Sequence, residues 1–176
     1  IRAPINTKKN NIIKKCSFQN IGIFHDRFML PDDWFEKMKE YGNNFEILQI
    51  PNLNTRGERV NDWPTFKNTD GIQYKINGGL SYNKYSRDIY IPGGSFIGKK
   101  WIFEKHPLKN KLHWDELEDV IFSKELILNG IYFYFDTNNS LITNSDRLGS
   151  KKIKSSIVST VVDTLRWIFA NFYNRI

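Results

Sequence analysis

Residues Gly93 to Lys100, G-G-S-F-I-G-K-K, carry the spacing G-x-x-x-x-G-K of a loop that cradles phosphates with backbone amides and a lysine. Lys100 stands where such a loop needs Ser or Thr to hold magnesium. The following residues, Lys99 to Phe103, are expected to form a strand, whereas a phosphate loop must open a helix. The segment therefore reads as a Gly turn between strands, with lysines facing solvent or an anion. Ser95 also misses the nucleophile elbow G-x-S-x-G, because Gly98 comes one residue late.

Other reactive groups are dispersed. No Asp or Glu has a Lys two residues ahead, so the carboxylate-x-lysine element of many metal-dependent nucleases is missing. Asp115, Glu116, Glu118 and Asp119 beside His113 have oxygen ligands for a divalent cation, but acids at a helix start are favoured by the dipole and explain them more simply. His25, His106 and His113 are too far apart for H-E-x-x-H. His25 or His113 could still act as a base in metal-independent RNA cleavage, since catalytic groups need only meet in space. Cys16 is the single cysteine, which excludes intrachain disulfides and multi-thiolate zinc modules and favours a reducing compartment. The expectation is no cofactor, no metal and, on balance, no catalysis.

Cations interleave with aromatics between Arg56 and Lys111. Such a pattern suits RNA, because cations near phosphates release counterions and exposed aromatics stack on unpaired bases. The same pattern arises when alternate aromatics of a meander are core and its lysines are a solvated face. The expected contacts are Lys8, Lys9, Lys14 and Lys15, then Arg56, Arg59, Lys84, Arg87, Lys99 and Lys100, with Tyr82 and Tyr85 as an exposed stacking pair in a polar loop.

The elements that would position these groups are legible in outline. Residues 1–25 hold five cations and no acid, and are expected as an extended basic arm ahead of one domain spanning 26–176. A helix is expected from Pro31 to Tyr41, with Trp34, Phe35, Met38 and Tyr41 inward, then a strand from Phe45 to Ile50. Turn signals at Asp70-Gly71, Asn77-Gly78 and Pro92-Gly93-Gly94 suggest an antiparallel meander over 60–104. A helix at His113–Phe122 and strands at Ile131–Phe135 and Ser140–Thr143 follow. Ile153, Ile157, Val161, Leu165, Ile168 and Phe172 recur at helical spacing and mark a long C-terminal helix for covering a sheet. The expected fold is α+β, with a mostly antiparallel sheet packed by that helix.

Composition sets the outer limits. The 176 residues carry a net charge of +7, and mean hydropathy is −0.52. No apolar run approaches the ~20 residues that span a bilayer as a helix. The charge is segmented: +5 over residues 1–25, −2 over 26–59, +5 over 60–112, −5 over 113–136 and +4 over 137–176. Codon bias can inflate Lys everywhere, yet it does not make alternating basic and acidic blocks. These features favour a non-catalytic RNA-associated subunit of a large ribonucleoprotein assembly, similar in kind to an organellar-ribosome accessory protein, with RNA or another polyanion and neighbouring subunits as partners. A viral or mobile-element structural protein and a small metal-independent RNA-cleaving enzyme are the alternatives. The expected location is intracellular and reducing, such as an organelle matrix after loss of a targeting segment.

Overall fold

A computed structural model describes residues 5–69, 73–77, 79–110 and 117–144. Helix α1 (Ile5–Lys15) leads into strand β1 (Asn20–Phe24) and a short β2 (Phe28–Met29). Helix α2 (Trp34–Tyr41) precedes β3 (Ile47–Gln49) and β4 (Asn52–Asn54), and a hairpin follows from β5 (Thr65–Thr69) to β6 (Gln73–Asn77). Strand β7 (Ser95–Lys99) runs directly into helix α3 (Lys100–Lys105), after which come helix α4 (Glu118–Leu128), β8 (Phe133–Phe135) and β9 (Leu141–Thr143).

The architecture is α+β with mixed sheets. Four strands lie in the order β1-β7-β3-β8, three in the order β2-β9-β4, and β5 and β6 pair alone. Pairings β3–β8 and β4–β9 are parallel and the other four are antiparallel, so the sheets are less uniform than a meander would make them.

Alternation along the four-stranded sheet splits the core into two layers. Ile21, Gly98, Ile47 and Phe133 form one row across the strands, and on that face pack Ile13, Ile102, Phe103, Phe122 and Leu126 from α1, α3 and α4. Ile97 and Leu48 point to the other face, where Trp34 of α2, Phe45, Ile50 and Leu141 close over them.

Gly98 shows why its position holds no side chain. A Cβ there would lie 2.7 Å from Phe103 Cζ and 2.8 Å from Ile47 Cδ1. The Phe103 ring takes the place of the missing side chain. The glycine in the G-x-x-x-x-G-K spacing is thus a packing requirement inside a strand, and the phosphate-loop geometry is absent.

Several expectations change. Residues 5–24 are not an extended arm: α1 packs its Asn6, Lys9, Asn10 and Ile13 face inward, and β1 is an edge strand of the main sheet. The expected strand at Lys99–Phe103 turns helical at Lys100. Phe35, expected inward on α2, is exposed, while Trp34 carries the buried face. Helix α4 starts and ends later than expected, and β9 joins β2 and β4 rather than turning back on β8. The C-terminal helix expected at Ile153–Asn174, and His113, Asp115 and Glu116, lie outside the described residues.

Overpacking a full core usually costs about 1–3 kcal/mol. Gly98→Ala should therefore lower stability in urea by about that amount, because the Phe103 ring must move; an unchanged midpoint would show that the ring does not depend on the glycine.

Candidate nucleic-acid interface

The sheet register builds a row at one end of the four strands. Lys99 follows Gly98, Glu46 precedes Ile47 and Tyr132 precedes Phe133, and these three partners are paired in register, so their neighbours share one rim. One backbone and one side-chain hydrogen bond fix it: Lys99 N–H donates to Glu46 O at 3.0 Å, and Tyr132 N–H donates to the Glu46 carboxylate Oε2 at 2.7 Å. Asn20, paired with Lys99, completes the row on β1.

Tyr85 arrives from the loop after β6 and stacks on Tyr132, with ring centroids 5.3 Å apart and planes at 23°. Both rings are exposed, Tyr85 by 43% and Tyr132 by 58%. Tyr134 extends the group at 6.4 Å from Tyr132. Burial pushes the Tyr85 hydroxyl above its ordinary pKa, with the neighbouring Tyr132 adding to the effect, so the Tyr85 phenol stays neutral at physiological pH.

The cations at this rim differ in their freedom. Lys99 Nζ donates to Asn20 Oδ1 at 2.9 Å and to Asn43 O at 3.0 Å, also touches Asn43 Oδ1, and sits 4.3 Å over the Phe45 ring. These partners are all neutral, so its charge is left without a carboxylate among the described residues. Burial pulls its pKa down. Lys84 and Arg87 flank Tyr85 in sequence and are exposed.

Other expected contacts are occupied elsewhere. Arg59 Nε and Nη2 donate to Asp62 Oδ1 at 2.7 and 2.5 Å, its Nη1 donates to Leu80 O at 2.9 Å, and its guanidinium lies 4.0 Å over the Tyr82 ring. Tyr82 is half-buried, stacks on Phe135 at 4.4 Å and donates its hydroxyl to Asp62 Oδ2 at 2.9 Å. Arg59 and Tyr82 are therefore internal struts, and Tyr82 is not the exposed partner of Tyr85. Tyr132 takes that place. Arg56 pairs with Glu58 at 2.9 Å on the surface. Lys100 Nζ donates to Cys16 O at 2.9 Å and lies 3.6 Å from Glu104, tying α3 to the end of α1.

No family model matches the chain, and no curated protein matches it. Its chemistry must be read from its own side chains.

On α1 the expected basic group divides. Lys8, Lys14 and Lys15 are exposed, and the last two sit in the final turn, where the helix dipole favours cations. Lys9 is only 9% exposed; its Nζ donates to Gly93 O at 2.9 Å and lies 4.0 Å from Glu118 Oε1. Burial pulls the Lys9 pKa down against the attraction of Glu118 and Asp119. It pushes Glu118 up to about 7, with the Asp119 charge adding and Lys9 opposing. Desolvation outweighs attraction at both partners, so this pair locates α1 more than it stabilises the fold.

The missed residue, Tyr132, had a sequence signal. In Tyr132-Phe133-Tyr134-Phe135 the amphipathic tyrosines alternate with phenylalanines, which is the mark of a strand with one wet face.

The raised Glu118 carboxyl sets a pH dependence. The folded state holds its proton more tightly than the unfolded chain, whose value is near 4.5, so the stability linked to it is present below 4.5 and is lost as pH rises toward 7. Between about pH 5 and about pH 8 the melting temperature of the wild type should fall relative to that of Glu118→Gln. Parallel profiles for the two proteins would refute a buried, proton-holding Glu118.

Proposed function

We propose that the protein is a non-catalytic, RNA-associated subunit of a larger ribonucleoprotein assembly, and that it meets single-stranded RNA at the Tyr85–Tyr132 rim. The observation that carries this reading is the stacked, exposed tyrosine pair on the same rim as Lys99, from which Glu46 on β3 separates it; the Lys99 ammonium hydrogen-bonds only neutral groups. Exposed aromatic rings suit unpaired bases, and Lys84, Arg87 and Lys99 suit the phosphates between them. The exposed Lys8, Lys14 and Lys15 add a second basic surface on α1.

Neighbouring protein subunits fit the same reading. Ile12 and Phe18, at 63% and 81% exposed, project from α1 and the turn after it, and Trp101 is exposed on α3, which packs against α1. The amphipathic stripe from Ile153 to Phe172 supports an assembly role in the same way, as a sequence pattern suited to a sheet or a partner groove.

A salt series with single-stranded RNA tests the proposal. Three phosphate contacts should make log K fall with log salt at a slope of roughly −2, and Tyr132→Ala should weaken binding by about 1–3 kcal/mol at every salt concentration. A slope near zero, or binding unaffected by loss of both Tyr85 and Tyr132, would remove this function.

A further inference from the structure

At the opposite end of β7 from Lys99, the chain makes a corner at Gly93-Gly94 before entering Ser95. The edge strand β1 ends at Phe24, and the next residue, His25, donates its backbone N–H to Gly94 O at 2.8 Å. This bond holds the His25–Arg27 turn against the corner. The position a Gly94 Cβ would occupy is bounded by His25 Nδ1 at 3.0 Å and Arg27 Nη2 at 3.3 Å. At Gly93 the equivalent position is bounded by Lys9 Nζ and Glu118 Oε1, each at 3.2 Å. Side chains from α1, from the turn after β1 and from α4 thus converge on two adjacent glycines.

The groups at this corner divide into satisfied and unsatisfied. Lys9 is engaged by Gly93 O and faces Glu118. The Asp119 carboxylate accepts from Gly93 N–H at 3.2 Å and from Val120 N–H at 2.9 Å. Asp26 is exposed beside His25 in sequence. The His25 imidazole and the Arg27 guanidinium, by contrast, donate no hydrogen bond to any group among the described residues; Arg27 lies only over its neighbour's ring, Phe28, at 5.5 Å. The exposed Arg27 guanidinium and the half-buried His25 imidazole therefore face one corner with open hydrogen-bonding capacity, while Lys9 on the Gly93 side is already engaged by Gly93 O and Glu118. The positive charges of Arg27 and Lys9 disfavour the imidazolium of His25, and an anion held between the His25 and Arg27 donors reverses that preference.

We infer that the turn beside Gly94 is a phosphate-binding site, in which His25 and Arg27 donate to the oxygens of a phosphate monoester or diester. Both donors lie within 3.3 Å of one point at Gly94, a separation that one tetrahedral anion can bridge. Gly94 matters because a side chain there would crowd both donors. Burial first, then Arg27 and Lys9, holds the His25 pKa below its ordinary value, with Asp26 opposing. A bound phosphate reverses that balance, since an opposite charge within a few ångströms favours the imidazolium.

The full chain labelled at histidine tests this by NMR. Inorganic phosphate should shift the His25 ring signals saturably and raise their titration midpoint by about one unit or more, while the buried His106 stays unmoved. Arg27→Ala should abolish the response. Gly94→Ala keeps every charge and should weaken it by crowding the imidazole. A ribodinucleotide monophosphate forms a second arm: a response to it as well as to phosphate assigns the site to a nucleic-acid backbone, and a response to phosphate alone assigns it to a free phosphate or monoester. No saturable shift with either probe, or an undiminished shift in Arg27→Ala, overturns the site. Loss of Tyr85 and Tyr132 should leave the response intact, so failure of the RNA reading and failure of this site are separable.

Discussion

The buried carboxylate of Asp62 ties together β4, Arg59 and the loop that carries Tyr82. Its oxygens accept from Arg59 Nε and Nη2, from Asn52 N–H at 2.8 Å and from the Tyr82 hydroxyl. Burial pushes its pKa up, and those same donors pull it back. The residues on either side, Asn61 and Trp63, have φ of +43° and +48°, a region in which such side chains cost of order 1–3 kcal/mol. The hydrogen bonds at Asp62 and the Trp63 Nε1–H donated to Lys84 O at 2.7 Å hold that strain in place. Through Tyr82 and Lys84 the same knot fixes the loop that delivers Tyr85 to Tyr132. Presentation of an exposed ring pair thus depends on a group that never reaches the surface.

Strand β7 carries the rest of the organisation. Its middle is packed on both faces, by Phe103 over Gly98 and by Trp34 and its neighbours over Ile97. Its two ends are left to chemistry of different kinds. At Lys99 the strand meets the Asn20 and Asn43 amides and the Phe45 ring, on the rim that carries Tyr132 two strands away. At Gly94 it meets His25 and Arg27, donors suited to one compact anion. The +5 of the central block of sequence is therefore not one basic face. Part of it is held by the Asn20 and Asn43 amides, at Lys99, and part is spent tying helices, at Lys100.

What was legible in the sequence follows from which physical signals it carries. Apolar segments bounded by turn residues located β3 and β8, and Gly-rich turns located the corner at Gly93-Gly94. Helix α1 was hidden because its inward face, Asn6, Lys9, Asn10 and Ile13, has helical spacing but little hydrophobicity: Asn10 Nδ2 donates to Leu108 O at 2.7 Å and Asn6 Nδ2 to Lys109 O at 3.0 Å. A polar seam leaves no hydrophobic period to read. The end of β7 was misplaced because Trp101, Ile102 and Phe103 have strand-like side chains, and only the tertiary demand to cover Gly98 makes them helical. Tyr82 and Tyr85 look alike in a polar loop. Asp62, twenty residues from Tyr82, decides which of them is buried, and no local pattern reveals such a pairing.

Ultraviolet cross-linking of a single-stranded RNA to the intact protein, with the attached peptides mapped by mass spectrometry, bears most directly on the central claim that the tyrosine rim is the contact surface. The account predicts adducts on Tyr85 and Tyr132, lost when salt is raised. Adducts confined to other surfaces, or none while RNA is demonstrably bound, would contradict it.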